Sequence, residues 1–461
     1  MNLKEIKSVY FLGIGGIGMS ALARYFNQQG VKVSGYDKTQ TVLTAALVNE
    51  GVIISFEDTE VTTPLDVDLV IYTPAIPKDH IGFNLYKAKG HKLLKRAEVL
   101  GLLSKNHFAI CVAGSHGKTT VSAMIAHILT HSGVGCTAFL GGIASNYNTN
   151  YLSPTSTASR NDLMVIEADE FDRSFHQLSP DIAVITAVDT DHLDIYGSKE
   201  KIDEAFIEFT KKIDEEGFLV IKESQSIEQN LPVLDKAFYS LSSPSSDVYC
   251  SKYWVVDGGY LFTLSYYGKE VLGFRLNIGG YHNIENAIAA ISVVKELGLS
   301  NSQIKDGLAS FKGIKRRFEK VFDNGNIIYI DDYAHHPAEI DVLIKSVIEL
   351  YPDKKIMALF QPHLFSRTQD LAEGFAQALS AVGALYLLDI YPARELPIAG
   401  VSSDLILSKV TTKSKEIISK DGFLSIINEV ENGVILTIGA GDIDTLVPPI
   451  LNSLQQRETK R

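Results

Sequence analysis

The chain has 461 residues, 45% of them hydrophobic, enough for about three separately cored globular domains. A formal net charge of −12 argues against general affinity for nucleic acid or anionic membranes, and leaves room for a local basic pocket. Cys111, Cys136 and Cys250 lack metal-ligand spacing and cannot build a disulfide framework; with no basic leader and no apolar span of about 18 residues, a soluble cytoplasmic protein is expected.

In chain order, an apolar strand from Val9 to Leu12 runs into Gly13-Ile14-Gly15-Gly16-Ile17-Gly18, and a helix follows with Ala21, Leu22, Tyr25 and Phe26 on one face. A second strand, Val31 to Gly35, leads to Asp37. Glycines at 13, 15, 16 and 18 let a pyrophosphate approach a helix N-terminus, and Asp37 can accept ribose hydroxyls. NAD, FAD and a UDP-sugar all present a pyrophosphate, so the pattern leaves the nucleotide open. Strands at Val52 to Phe56 and Leu69 to Tyr72 complete an α/β domain over residues 1–105.

A second domain, residues 106–313, opens with the strand Phe108 to Val112 and then Gly114-Ser115-His116-Gly117-Lys118-Thr119-Thr120. Glycines turn backbone N–H groups around a phosphate, Lys118 reaches the outer phosphates and the Thr119 hydroxyl suits Mg2+. Val112 stands where the longer Walker pattern has glycine, so the loop is a shortened form. Strands Leu163 to Glu167 and Ile182 to Val188 end in carboxylates: Glu167, Asp169, Glu170 and Asp172 on the first, Asp189, Asp191 and Asp194 with His192 on the second. In a parallel sheet both ends lie beside the loop, where oxygen ligands and an imidazole suit a metal that also touches phosphate. Alternating aromatic residues up to Leu276 predict antiparallel strands turning near Gly258-Gly259 and Tyr267-Gly268. His282, Asn283 and Asn286 open a helix, and by spacing alone read as caps.

The third domain, residues 314–461, starts at Lys315-Arg316-Arg317-Phe318-Glu319, with a hairpin around Asp323 to Asn326. Its second strand ends in Asp331-Asp332-Tyr333-Ala334-His335-His336-Pro337, and strands at Ile356 to Phe360, Leu385 to Leu388 and Val434 to Ile438 alternate with helices. His335, His336, His363 and Arg367 then form a cationic group suited to a small carboxylate. No compact histidine spacing favours zinc.

Together the motifs resemble the Mur ligase family. They are F-L-G-I-G-G-I-G-M-S from Phe11, G-S-H-G-K-T-T from Gly114, E-A-D-E from Glu167, D-H-L-D from Asp191, H-N-I-E-N-A from His282, R-R-F-E from Arg316, D-D-Y-A-H-H-P from Asp331, F-Q-P-H from Phe360 and Y-P-A-R-E from Tyr391. The nine occur in the family's order over almost the whole chain, and the nearest branch is the one that joins L-alanine to UDP-N-acetylmuramate. The resemblance implies a Rossmann-like UDP-sugar domain, a central P-loop ATPase-like parallel sheet with a small antiparallel addition, and a Rossmann-like amino-acid domain, with the catalytic centre assembled by domain closure. It implies amide formation through an acyl phosphate, using ATP and Mg2+ with Mn2+ as an alternative, in a monomer or homodimer engaged in peptidoglycan precursor synthesis.

By the same resemblance Gly13, Gly15, Gly16, Gly18, Asp37 and His116 serve the UDP-sugar, and the loop Gly114 to Thr120, with His282, Asn286, Arg317 and Asp332, serves ATP. Thr119 and Glu167 would hold one metal and His192 a second. Tyr333, His335 and Arg367 form the amino-acid site, with Lys118, Glu167, His192 and His335 catalytic. Many relatives in this branch carry Arg where this chain has Leu364, which leaves the amino-acid carboxylate one fewer guanidinium. Competing readings are a ligase that attaches a preformed peptide to the same sugar nucleotide, an NAD(P)-dependent oxidoreductase built on Gly13 to Gly18, and a nucleotide-sensing protein without catalysis.

Overall fold

The computed structural model describes residues 3–154, 162–171, 173–189, 193–232, 234–393 and 395–459. Three sheets carry the fold, of five, ten and six strands.

The first sheet holds β1 (Ser8–Leu12), β2 (Lys32–Tyr36), β3 (Ile53–Ser55), β4 (Leu69–Tyr72) and β5 (Leu93–Lys95) in the order β3-β2-β1-β4-β5, all parallel. The order reverses direction at β1, and the crevice at such a switch point is where doubly wound sheets bind ligands. The loop Gly13 to Gly18 leaves β1 at that point and opens the helix Ile17–Gln28, which buries Met19, Ala21, Leu22, Ala23 and Phe26.

The second sheet comprises β6 (Phe108–Ala113), β7 (Thr137–Ala144), β8 (Thr149–Leu152), β9 (Leu163–Glu167), β10 (Ile182–Ile185), β11 (Phe218–Lys222), β12 (Asp235–Ser240), β13 (Val248–Val256), β14 (Gly259–Tyr266) and β15 (Lys269–Leu276). Its order is β15-β14-β13-β12-β11-β10-β6-β9-β7-β8. β6 is parallel to β9 and β10 on its two sides, which makes it a second switch point. Residues 109–113, 163–166 and 182–185 are all buried, as expected for parallel strands covered on both faces. β13 to β15 are joined by two-residue turns at Asp257-Gly258 and Tyr267-Gly268. All four of those residues have positive φ, the signature of tight type I′ hairpins, so the first turn falls one residue earlier than expected.

The third sheet contains β16 (Glu319–Asp323), β17 (Ile327–Asp332), β18 (Ile356–Phe360), β19 (Ala384–Leu387), β20 (Ser414–Ile417) and β21 (Gly433–Ile438). Its order is β16-β17-β21-β18-β19-β20, with only the β16–β17 edge antiparallel. Asp332 and Phe360 both pair with Ile438, so the loops after β17 and β18 emerge on either side of the β21 end.

By packing, the chain divides into two compact units. One spans residues 1–252, 263–274 and 285–311; the other spans 253–262, 275–284 and 312–461. Within the first, the helix Ile17–Gln28 docks the leading sheet onto β7 and β8: the Tyr25 ring lies 5.7 Å from Phe139 and 6.3 Å from Tyr151. The half-buried pair Arg24–Glu50 (2.8 Å) sits beside it, and Asn150, fully buried on β8, donates to Ser20 Oγ at 2.9 Å. Among the described residues no helix is long and apolar enough to cross a membrane.

Candidate active site

In the first unit, β6 delivers a loop whose backbone is glycine-dependent at two points. Gly114 has φ +132° and Gly117 has φ +84°, both in the left-handed region that side chains avoid. A Cβ on Gly117 would meet Asn286 Oδ1 at 2.6 Å, which places Asn286 directly against the loop, beyond the simple capping read from its spacing. Asn283, which belongs to the second unit, donates to the Gly279 carbonyl at 2.6 Å. The loop is locked to the strand beside it: Thr186 N donates to Ala113 O at 3.0 Å, the Thr186 hydroxyl donates to His116 O, and Ser115 N donates to Ala187 O at 2.9 Å. The Ser115 hydroxyl accepts Asp189 N at 2.9 Å, a task any hydroxyl side chain can perform. The exposed His116 ring lies 3.8 Å from the Asp189 carboxylate.

Lys118 opens the helix Lys118–His131. Its ammonium donates to Gly114 O at 2.6 Å and to Glu170 Oε1 at 2.7 Å. Burial pushes the Glu170 carboxyl above its ordinary range, and the Lys118 ammonium pulls it back. Tyr196, on the short helix Leu193–Tyr196, donates its hydroxyl to Glu170 O at 2.5 Å. Glu167, at the β9 end, accepts Gly141 N at 2.9 Å, and a Cβ at Gly141 would run into its carboxylate. Thr119 and Thr120 are buried in the first helical turn. His192 and Asp191 lie outside the described residues.

The Gly13 to Gly18 loop is also internally tied. Asp37 Oδ2 accepts Gly15 N at 2.7 Å and Oδ1 accepts Thr39 N at 3.1 Å, so Asp37 closes the loop as well as bordering it. Gly18 leaves room for the Arg96 guanidinium, whose Cζ would lie 2.9 Å from a Cβ there; Arg96 in turn stands 3.7 Å from Asp169. Spacing alone does not reveal that neighbour, since Arg96 is 78 positions away.

In the second unit, Asp332 takes Phe318 N on Oδ2 at 2.6 Å and Ala334 N on Oδ1 at 2.7 Å. Burial raises its carboxyl to about 6 against the pull of those N–H groups and of Arg317. Desolvation, and secondarily the Arg317 charge, push the His282 imidazole down, so His282, Arg317 and Asp332 act on one region.

Arg316 braces the neighbouring loop. Its carbonyl accepts Tyr333 N at 2.7 Å, its guanidinium carbon sits 5.0 Å from the Tyr333 ring centre, and it also reaches Gly439 O and Asp444. Tyr333, His335, His363 and Tyr391 then form a chain of rings, with successive centroids 5.4, 6.2 and 5.7 Å apart. His335 Nδ1 lies 3.1 Å from Tyr333 O and 3.6 Å from Glu339. His336, expected in the cationic group, instead caps the helix Pro337–Leu350, its Nδ1 accepting Ala338 N at 3.4 Å. Glu395 performs the equivalent service for the helix Phe365–Leu379, accepting Ser366 N at 3.0 Å. Burial, then Arg367 and His335, hold the His363 imidazole below its ordinary value. His363 Nδ1 and Arg367 Nη1 are buried without a hydrogen-bond partner among the described residues. Leu364 between them sits at φ +71°, a backbone conformation costly for a branched side chain.

Three family profiles match in sequence order: "Mur ligase family, catalytic domain" over residues 8–108, "Mur ligase middle domain" over 112–294, and "Mur ligase, glutamate ligase domain" over 316–441. The chain is 44% identical over 461 residues to the UDP-N-acetylmuramate--L-alanine ligase of Flavobacterium johnsoniae, covering 99% of this chain and 100% of the relative. The chain belongs to the Mur ligase family. A second relative, the UDP-N-acetylmuramate--L-alanine ligase of Porphyromonas gingivalis, is 46% identical and covers 98% of this chain and 99% of its own length. Among solved Mur ligases, the UDP-N-acetylmuramate-alanine ligase of Thermotoga maritima superposes with a TM-score of 0.83 at 28% identity, covering 99% of this chain and all of the other. A murein peptide ligase from Psychrobacter arcticus shares the fold at a TM-score of 0.67 and 21% identity, over 97% of this chain and 98% of the other.

As for a metal, no group of three or more His, Cys, Asp or Glu among the described residues is arranged to hold an ion unaided. The chemistry present fits a hard cation bound through one or two carboxylates and completed by phosphate oxygens. Glu167 is held by Gly141 of β7, and Glu170 has a buried oxygen without a hydrogen-bond partner among the described residues.

Proposed function

We propose that this chain is an ATP-dependent ligase that forms the amide between the lactyl carboxylate of UDP-N-acetylmuramate and L-alanine, in the cytoplasm, as a step in peptidoglycan precursor synthesis. The observation that carries the reading is full-length identity of 44–46% to ligases of that name. The Lys118 loop between two carboxylate-bearing strand ends supports it independently. Three functional regions follow: residues 1–105 for the sugar nucleotide, 106–313 for ATP and 314–461 for the amino acid.

A carboxylate is a poor acyl donor because oxide is a poor leaving group. Its oxygen attacks the γ-phosphorus of ATP, the bond to ADP breaks, and the resulting acyl phosphate carries phosphate as its leaving group. The alanine nitrogen then attacks the carbonyl carbon, the C–O bond to phosphate breaks, and the amine loses a proton. Two anions meet in the first step, so fixed positive charge is required. Lys118 supplies it from the protein, and the backbone N–H groups of Gly114 to Thr120 cradle the phosphates. Mg2+, or Mn2+ in its place, held by Thr119 and Glu167 and by His192 at a second position, would supply the remaining charge neutralisation. Asn286, His282, Arg317 and Asp332 bind the nucleotide. Gly13 to Gly18, Asp37 and His116 serve the UDP-sugar.

Arg367, whose Nη1 has no hydrogen-bond partner among the described residues, receives the amino-acid carboxylate, and Tyr333 borders that site. His335 accepts the amine proton; the depressed basicity of His363 keeps that neighbouring ring neutral and able to accept a hydrogen bond from the ammonium. The experiment is isotope transfer. With the lactyl carboxylate labelled in oxygen-18, one labelled oxygen must appear in the released phosphate, and only when L-alanine and ATP are both present. Unlabelled phosphate would rule out the acyl phosphate.

A further inference from the structure

A carboxylate that a site for a polyanion would be expected to exclude stands against the lysine of the phosphate loop. Glu170 Oε1 stands 2.7 Å from the Lys118 ammonium, with the Lys118 side chain 14% and the Glu170 side chain 5% exposed, so the pair is nearly dry. Glu170 Oε2 is buried as well and has no hydrogen-bond partner among the described residues. The Glu170 backbone is tethered by Tyr196, which limits how far the carboxylate can follow a departing ammonium.

With the pair closed, the loop offers a polyphosphate its backbone N–H groups and a lysine whose charge is already cancelled. A phosphate that draws Lys118 away takes from the buried Glu170 carboxylate the ammonium that offsets its charge, in a site where charges a few ångströms apart are poorly screened. We propose that Glu170 makes nucleotide binding conditional on a divalent cation: the cation arriving with the triphosphate supplies the positive charge that Glu170 loses when Lys118 turns to phosphate. Glu170 is then a positioning residue that acts through Lys118 and sets how strongly affinity depends on metal. The inference rests on the reading of the Gly114 to Thr120 loop as the ATP site, and is independent of which acid and amine are joined.

The test is ATP binding to the full chain by titration calorimetry, in EDTA and in excess Mg2+, for the wild type, Glu170→Gln and Glu170→Asp. Glu170→Gln keeps the shape and removes the charge, so its metal-free affinity should rise at least about tenfold and the gain from Mg2+ should shrink by the same factor. Glu170→Asp keeps the charge and should retain the wild-type Mg2+ dependence. Lys118→Gln leaves the carboxylate without an ammonium, so its gain from Mg2+ must exceed that of the wild type; this arm stands even if Glu170→Gln does not fold. Metal-free affinity that is unchanged or weaker in Glu170→Gln, or an unaltered Mg2+ gain in Lys118→Gln, overturns the inference. A wild type that binds no ATP in either condition overturns the nucleotide-site reading with it. A wild type that binds ATP and shows these shifts but makes no amide removes only the ligase assignment.

Discussion

The two regions proposed to take ligands differ in how their polar groups are satisfied. In the first unit the two glycine loops are tied to neighbouring carboxylates: Asp37 occupies Gly15 N, and Glu170 together with Gly114 O occupies Lys118. In the second unit Arg367 Nη1 and His363 Nδ1 are buried without a hydrogen-bond partner among the described residues. A nucleotide brings many phosphate oxygens and can displace internal partners, whereas a ligand as small as alanine has little binding energy to spare for displacement. A preformed site with one buried guanidinium donor and one imidazole nitrogen suits the small ligand, because each buried polar group gains a hydrogen bond when the ligand arrives.

Lys118→Ala breaks the first half of that contrast and should have the largest effect. ADP formation that depends on both acid and amine should fall by roughly 10³-fold or more, and the stranded Glu170 should lower unfolding free energy by about 3 kcal/mol. Turnover assays paired with urea denaturation check both. Appreciable residual turnover would place the phosphate chemistry elsewhere.

Acidification sharpens the contrast between the interiors of the two units. His127, with Nδ1 2.8 Å from Tyr147 Oη and Nε2 2.9 Å from Ser310 Oγ, is pushed down from 6.5 to about 4 by burial, with His131 adding to it. Between those values the unfolded chain binds a proton that the folded chain refuses. The first unit should therefore lose about 3 kcal/mol as pH falls from 6.5 toward 4, and His127→Gln should flatten that slope. Asp331 in the second unit runs the other way. Burial raises its carboxyl from 3.8 to about 7, so the folded form holds a proton that the unfolded chain has released, and that contribution is lost as pH rises through the same window. Denaturation followed at several pH values checks the signs; slopes of equal sign for the His127 and Asp331 contributions would contradict the assignment.

Arg367→Ala tests the open site. KM for L-alanine should rise about 10- to 100-fold with KM for ATP nearly unchanged. Because a buried donor with no partner among the described residues is removed, thermal stability should hold or increase, opposite in sign to Lys118→Ala. A stability loss of similar size in both variants would erase the distinction between closed and open sites.

Gly117→Ala carries the smallest expected effect. Its φ of +84° and the approach of Asn286 Oδ1 should cost about 1–2 kcal/mol of stability, read as a lower urea midpoint.

The parts of this molecule that could be read from sequence are those whose chemistry is local. The two glycine loops, the hairpin at Asp323 to Asn326 and the apolar strands before each loop declare themselves within about ten residues, because φ requirements and burial on both faces restrict residue choice. β5, β8 and β20 are only three or four residues long, and β7 is interrupted by Gly141-Gly142, so their pairing depends on neighbours distant in sequence. The site follows the same division. E-A-D-E marks a cluster of acids, but its spacing cannot say that Glu167 meets Gly141, Asp169 approaches Arg96 and Glu170 takes Lys118. Nor does D-D-Y-A-H-H-P tell which of its two histidines is used up as a helix cap.

The most direct measurement is the mass of the product formed from ATP, Mg2+ and UDP-N-acetylmuramate when L-alanine, glycine, L-serine and an L-alanyl peptide compete. The expected product is the sugar nucleotide extended by a single alanyl residue, with one ADP and one phosphate released per amide. Preferential attachment of the peptide, or consumption of ATP without any amide, would contradict it.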